Sequence, residues 1–89
     1  MSTEKLTFNL TVAERDFLME AVGLYLEDDL IQQLKFAELK DGELVISMTD
    51  TDIDYLLGYV AAEANHTEDE EYREQLDAIY NRIQRMTGV

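Results

Sequence analysis

The stretch FAELKDGELVISM, residues 36–48, decides the fold of this chain. Its central Asp41-Gly42 pair suits a two-residue turn that requires positive φ angles. Such a turn predicts two cross-strand pairs, Lys40 with Glu43 and Leu39 with Leu44. Residues 43–48, ELVISM, are predicted to form the second strand of the hairpin that this turn closes. The stretch therefore predicts a β-hairpin over about residues 35–48.

Residues 35–39, predicted above as the first strand of this hairpin, could also be helical. LIQQLKFAEL, residues 30–39, could continue as a helix up to the turn, which would leave a two-stranded sheet with three helices. In the preceding EDDLIQQL, the apolar residues Leu30, Ile31 and Leu34 have the spacing of a helix. It predicts either a short second helix capped by Asp28 or an extension of an earlier helix beyond Gly23.

An alternating stretch and a capping motif open the chain. In KLTFNLT, apolar and polar side chains alternate, which predicts a strand over about residues 5–10. In the overlapping TVAE, the Thr11 hydroxyl can accept from a first-turn amide while Glu14 reaches back to the Thr11 amide. This capping box predicts a helix over about residues 12–26. The helix has a wide apolar stripe of Phe17, Leu18, Ala21, Val22, Leu24 and Tyr25.

Two amphipathic helices are predicted in the C-terminal half. The first, about residues 50–65, places apolar side chains at Ile53, Leu56, Leu57, Val60, Ala61 and Ala64. The second, about residues 68–86, places them at Tyr72, Leu76, Ile79, Tyr80, Ile83 and Met86. Because only two or three residues connect them, the helices must be antiparallel neighbours that form an αα-hairpin.

Together these elements predict an α+β fold. A small antiparallel sheet of two or three strands is packed by the N-terminal helix and by the C-terminal αα-hairpin. The hydrophobic content of 46% is spread along a chain of 89 residues, so residues 1–89 are expected to form a single globular domain.

Composition limits the classes of function. Twenty acidic and seven basic residues give a formal net charge of -13, and there is no cysteine. A surface of this charge repels phosphate and anionic lipid, which disfavours direct binding to nucleic acid or membrane. A chain without cysteine loses nothing in a reducing compartment, and the N-terminus lacks the apolar centre of a signal peptide. We therefore expect a cytoplasmic protein.

The stretch AEANHTEDEEY, residues 62–72, contains the single histidine and predicts a helix boundary. Asn65 would take the left-handed conformation that closes one helix. Thr67 would cap the next helix, and Glu70 would complete its capping box. His66 would then lie at the C-terminal end of the first of these helices, where a cation is favoured.

Glu63 and His66 also support a metal hypothesis. The E-x-x-H spacing puts a carboxylate and an imidazole on one helical face, as in the ligand sets of di-iron bundles. One copy is insufficient, so Glu68, Asp69 or a residue across a homodimer interface would have to complete a site for zinc, iron or manganese. Glu63 and His66 are thus the metal candidates, while no cofactor is expected.

The remaining chemistry favours binding over catalysis. The sequence contains no complete catalytic constellation, so we expect a protein that is not an enzyme. Five tyrosines, with Tyr55 and Tyr59 one helical turn apart, are expected to line the core or an interface.

The sequence thus predicts a small acidic, non-enzymatic protein-interaction or regulatory module. Its partner would be another protein or a second copy of itself, and a homodimer is expected because cyclic dimers are the commonest soluble assembly. One alternative is an acidic decoy that occupies the nucleic-acid site of a basic protein. The other is the metal site across a dimer interface.

Overall fold

Helices and a three-stranded antiparallel sheet form the α+β fold of residues 4–89, the part of the chain that the computed structural model describes. In chain order the elements are β1 (Lys5–Leu10), α1 (Val12–Val22), α2 (Asp28–Lys35), β2 (Glu38–Lys40), β3 (Glu43–Thr49), α3 (Asp50–His66) and α4 (Glu70–Thr87). A 3-10 turn, Gly23–Tyr25, separates α1 from α2. The predicted α+β class and the C-terminal helix pair are confirmed.

The sheet has β3 at its centre, in the order β1-β3-β2. The predicted hairpin pairs, Lys40 with Glu43 and Leu39 with Leu44, are both present. Asp41 and Gly42 have φ angles of 53° and 83°, so the turn takes the positive φ values for which this residue pair is suited. The alternation of β3 buries Leu44, Ile46 and Met48 under the helices.

The first hairpin strand is shorter than predicted and lies later in the chain. We expected residues 35–39, but α2 runs through Lys35 and β2 covers only Glu38–Lys40. Arg15 Nη1 donates to the carbonyl oxygens of Leu34 and Lys35, at 3.1 and 3.2 Å. These bonds satisfy the last turn of α2, so the helix ends there. The alternative helix that continues to the turn is therefore wrong.

The start of α2 also differs from the prediction. The N-cap is Glu27 and not Asp28, and its side chain makes no capping hydrogen bond. Asp28 and Asp29 lie instead in the first turn, where their charges complement the positive end of the helix dipole. The helix is a separate element, so the extension of α1 past Gly23 is wrong.

The capping box at the start of α1 is confirmed. The Glu14 amide donates to Thr11 Oγ1 at 3.0 Å, and the Thr11 amide donates to Glu14 Oε1 at 2.8 Å. The helix ends at Val22, earlier than the predicted residue 26, and the chain tightens into the 3-10 turn. This change of geometry takes Leu24 off the expected buried stripe, and its side chain is 96% exposed.

The boundary between α3 and α4 is closed in a different way from the prediction. Asn65 stays helical and α3 runs through His66, because Arg73 of α4 donates to the carbonyl oxygens of Ala64 at 3.1 Å and Thr67 at 2.7 Å. A distant guanidinium thus satisfies carbonyl groups that a left-handed residue would otherwise serve.

The cap of α4 is Asp69, not Thr67. Its Oδ1 accepts from the amides of Glu71 and Tyr72, while the Thr67 hydroxyl accepts from the Asp69 amide. The cap therefore lies two residues later than predicted, and the prediction of a capping box between Thr67 and Glu70 is wrong. The Asp69 carboxylate accepts hydrogen bonds from two amides, and its negative charge complements the helix dipole. A threonine at the cap would provide no such charge.

The core lies between the sheet and the helices. Its largest fully buried side chains are Phe8, Leu10, Leu18, Leu34, Ile46, Met48, Ile53, Leu56, Leu76, Ile83, Val22 and Val60. Arg82 ties α4 to the sheet, because its Nε donates to the Asn9 carbonyl at 3.0 Å and its Nη2 donates to Glu43. None of the helices within residues 4–89 is both long and apolar enough to cross a membrane.

Candidate interaction surface

Three exposed tyrosines form one surface beside α3. Tyr55 is 61% exposed, Tyr25 55% and Tyr59 37%. The rings of Tyr25 and Tyr59 are stacked, with centroids 5.9 Å apart and planes inclined by 20°. We call Tyr25, Tyr55 and Tyr59 the tyrosine surface. It combines large apolar faces with hydroxyl groups, which is the composition that protein interfaces favour.

Helical spacing explains why α3 exposes these side chains. The buried stripe of the helix comprises Ile53, Leu56, Leu57, Val60 and Ala64. Away from this stripe lies a second series, at positions three or four residues apart, made of Asp52, Tyr55, Tyr59, Glu63 and His66. The helix therefore presents aromatic side chains in the middle of one face and ionisable side chains at both ends of it.

The 3-10 turn brings Tyr25 to this face. After α1 ends, Gly23 begins a tighter turn that carries Leu24 into solvent and Tyr25 onto Tyr59. Leu26 then returns to the core, which anchors the turn. The stacked pair is thus held by two different elements of the fold.

Two cavities share the stacked pair as a wall. The first has a volume of about 290 Å³ and is lined by Tyr25, Tyr59, Ala62, Glu63 and His66. The second has a volume of about 180 Å³ and is lined by Tyr25, Glu27, Leu30, Asp52, Tyr55 and Tyr59. Each cavity therefore combines aromatic rings with at least one carboxylate.

Glu63, which lines the first cavity, also influences the partly buried Tyr72. Burial raises the pKa of Tyr72, and the charges of Glu63, Glu20 and Tyr25 raise it further. The Tyr72 ring also packs edge-on against Phe17, with centroids 5.3 Å apart. The carboxylate of Glu63 is therefore a lining group of the cavity and one of the charges that raise the pKa of Tyr72.

The metal candidates are brought together only as a pair. Glu63 and His66 both line the first cavity, and His66 is the last residue of α3, one residue beyond the predicted end of this helix. Within residues 4–89 there is no group of three or more histidine, cysteine or acidic side chains that could hold a metal ion. Glu68 and Asp69 therefore do not complete the set, and the hypothesis depends on ligands from a second copy.

Two further exposed apolar side chains lie in the first hairpin strand and just before it. Phe36 is 70% exposed and Leu39 is 61% exposed, and β2 is an edge strand. The Lys35 ammonium lies 5.7 Å from the centroid of the Phe36 ring. We call Phe36 and Leu39 the hairpin patch. Lys35 and Lys40 are the two basic residues on this stretch of the chain.

Sequence reasoning identified only part of the tyrosine surface. It paired Tyr55 with Tyr59 and it selected Glu63 and His66, which the structure places on one face of α3. It missed Tyr25 and Glu27, because nothing local in the sequence shows that the 3-10 turn packs on α3. The helical spacing from Asp52 to His66 was the signal that could have joined the α3 residues.

Comparisons with protein-family models, with curated proteins and with solved structures give no match for this chain.

Proposed function

We propose that the protein is a non-enzymatic interaction module that binds a protein partner through the tyrosine surface. The observation that carries this proposal is the grouping of Tyr25, Tyr55 and Tyr59 around two adjoining cavities. Tyrosine has few rotatable bonds and a large apolar face, so it loses little conformational entropy on binding. The proposed setting is the cytoplasm, because a chain without cysteine has no disulfide to lose in a reducing compartment.

The binding free energy that interface tyrosines contribute supports a recognition role. Tyrosine is among the residue types that dominate interfaces, where truncation of a central side chain costs about 2 kcal/mol or more. Three such side chains are available here, and the cavities between them can receive side chains of a partner. Scattered exposed apolar residues would not offer this arrangement.

A site-specific photocrosslinker tests the proposal. We would replace Tyr55 with a photoreactive phenylalanine derivative, irradiate the protein in a lysate of its source organism and identify the products by mass spectrometry. The control carries the same group at Asp77, which is exposed on α4 and lines neither cavity.

Comparison of the adducts formed from positions 55 and 77 decides whether the tyrosine surface binds a partner. We expect a discrete protein adduct from position 55 that is absent from position 77 and that fails to form when Tyr59→Ser is added. The same mixture of adducts from both positions, or none from position 55, would refute the proposed site.

Self-association is a second candidate function, and the hairpin patch favours it. Leu39 lies in the edge strand β2 and Phe36 lies two residues before it, and Lys35 and Lys40 would reduce the charge repulsion between two acidic copies that meet there. Two copies meeting at the tyrosine surfaces would instead bring Glu27, Asp52 and Glu63 of each chain together. A homodimer is therefore proposed at the hairpin patch.

Sedimentation equilibrium at micromolar concentration tests the homodimer. The wild-type protein is expected to sediment as a dimer of 10.3 kDa chains, and Phe36→Ser with Leu39→Ser is expected to yield monomers. Tyr55→Ser is the control, because it removes an exposed aromatic ring from the other surface. A monomer in all three samples would end the self-association form of the proposal.

A further inference from the structure

We infer that the tyrosine surface binds an extended, arginine-containing segment of another protein, with arginine side chains entering the two cavities. The inference rests on the proposed function, to which it adds the chemistry of the partner. Its evidence is the combination of aromatic walls, carboxylates at both cavities and a length that fits a short peptide.

The charges at the cavities call for a cationic partner. Glu63 lines the first cavity, Glu27 and Asp52 line the second, and no lysine or arginine of the described residues lines either. A neutral or acidic partner would bury these carboxylates without a counter-charge, which is costly. A partner with positive side chains would pair with them, and the net charge of -13 would speed its approach.

The aromatic walls favour arginine over lysine. A guanidinium is planar and weakly hydrated, so it stacks on a tyrosine ring while its N–H groups point to a carboxylate. Each cavity supplies both kinds of contact, since Tyr25 and Tyr59 line both of them. A lysine ammonium would keep the charge interaction but lose the stacking.

The dimensions fit an extended segment. Asp52 and His66 mark the two ends of the surface on α3, and at about 1.5 Å per residue they lie roughly 21 Å apart along the helix. An extended peptide rises about 3.3 Å per residue, so about six residues cover this length. Alternate side chains of such a peptide face the same way and can enter successive cavities.

Direct binding of synthetic peptides tests the inference. The probe is a fluorescent peptide of alternating glycine and arginine, seven residues long, titrated with the protein in 0.15 M salt. The same peptide with lysine or glutamine in place of arginine reports on the contributions of stacking and charge. We expect the arginine peptide to bind best, the lysine peptide to bind several-fold more weakly and the glutamine peptide to show no binding.

Variants of the tyrosines locate the binding. Tyr55→Ser and Tyr59→Ser are each expected to weaken binding of the arginine peptide about three- to thirty-fold, the range that corresponds to loss of a cation–π contact. Phe36→Ser is the aromatic control and is expected to leave binding unchanged. Tyr55 is largely exposed, so its substitution keeps the test valid if Tyr59→Ser disturbs folding, which far-ultraviolet circular dichroism would show.

Two double variants that remove the same number of charges distinguish binding at the cavities from attraction by the overall negative charge. Glu27→Gln with Glu63→Gln removes two charges at the cavities, whereas Glu38→Gln with Glu74→Gln removes two exposed charges elsewhere. We expect the first pair to weaken binding about tenfold and the second less than threefold. Equal losses would overturn the inference in favour of an acidic decoy that acts through its overall charge.

The failure of this inference is distinguishable from failure of the proposed function. If the wild-type protein binds no arginine peptide, or binds the lysine peptide equally well, the arginine assignment is overturned. A discrete partner crosslinked at position 55 would still support the interaction surface in that case. Absence of that crosslink would remove the surface itself.

Discussion

Replacement of Arg82 by methionine is expected to destabilise the protein by about 2 kcal/mol. The Arg82 guanidinium donates to the Asn9 carbonyl of β1 and to Glu43 of β3, and it lies 3.9 Å from Glu14 of α1. A single side chain of α4 thus links three other elements. Methionine preserves much of the apolar stem but provides no donor or charge.

The magnitude follows from the exposure of these groups. Hydrogen bonds to charged groups contribute about 1.5–3 kcal/mol when protected, whereas exposed ion pairs contribute about 0.2–1 kcal/mol. The side chains of Arg82, Glu43 and Glu14 are about one-third exposed, which places the total between these ranges. At about 4–8 °C per kcal/mol for a domain of this size, Tm should fall by about 8–16 °C.

Urea denaturation at neutral pH provides the assay, with Arg85→Met as the matched control. Arg85 is exposed on the same helix and has no ion pair among the described residues, so its replacement should cost only about 0.5 kcal/mol through the helix dipole. Equal losses of unfolding free energy in the two variants would refute the idea that Arg82 connects α4 to the sheet.

Three further predictions concern the turn, a tyrosine and the metal hypothesis. Gly42→Ala should destabilise the protein by about 1–2 kcal/mol, because φ at this position is 83°. Gly58→Ala should stabilise it by about 0.5–1 kcal/mol, because this helical position has space for a Cβ atom. Urea denaturation measures both changes, and an effect of opposite sign in either variant would contradict the prediction. Since burial and nearby charges raise the pKa of Tyr72 in the folded state, its contribution to stability is complete below the unfolded pKa of about 10 and is lost as pH rises through the folded pKa. Unfolding free energy measured from pH 9 upward should therefore fall more steeply in the wild type than in Tyr72→Phe, and parallel curves would contradict this. If Glu63 and His66 bind metal across a dimer, untagged protein should contain metal that His66→Ala loses, and identical metal content in the two proteins would exclude the hypothesis.

Local interactions explain which parts of the fold were predictable. The Asp41-Gly42 turn and the Thr11 capping box involve residues within a few positions of one another, and both are present as predicted. The ends of α2 and α3 were predicted wrongly because distant arginines determine them. Arg15 closes α2 from 19 positions away, and Arg73 closes α3 from the following helix.

The tyrosine surface, too, is predictable only where local sequence determines it. The positions of Tyr55, Tyr59, Glu63 and His66 follow from the spacing of a single helix, so the sequence contains enough information to group them. Tyr25 joins them only because the 3-10 turn packs on α3, a contact between elements with no periodic signal. Sequence patterns therefore locate two of the three tyrosines, and tertiary packing adds Tyr25, which completes the stacked pair.

Chemical footprinting of the tyrosines distinguishes a tyrosine surface that a partner covers from one that stays exposed to solvent. Nitration of each tyrosine would be measured by mass spectrometry in the purified protein and in its native lysate, with Tyr80 of α4 as an internal reference. We predict that Tyr25, Tyr55 and Tyr59 react readily in the purified protein and are protected in the lysate, while the reactivity of Tyr80 is unchanged. Equal reactivity of the three tyrosines in both samples would show that no partner covers the tyrosine surface.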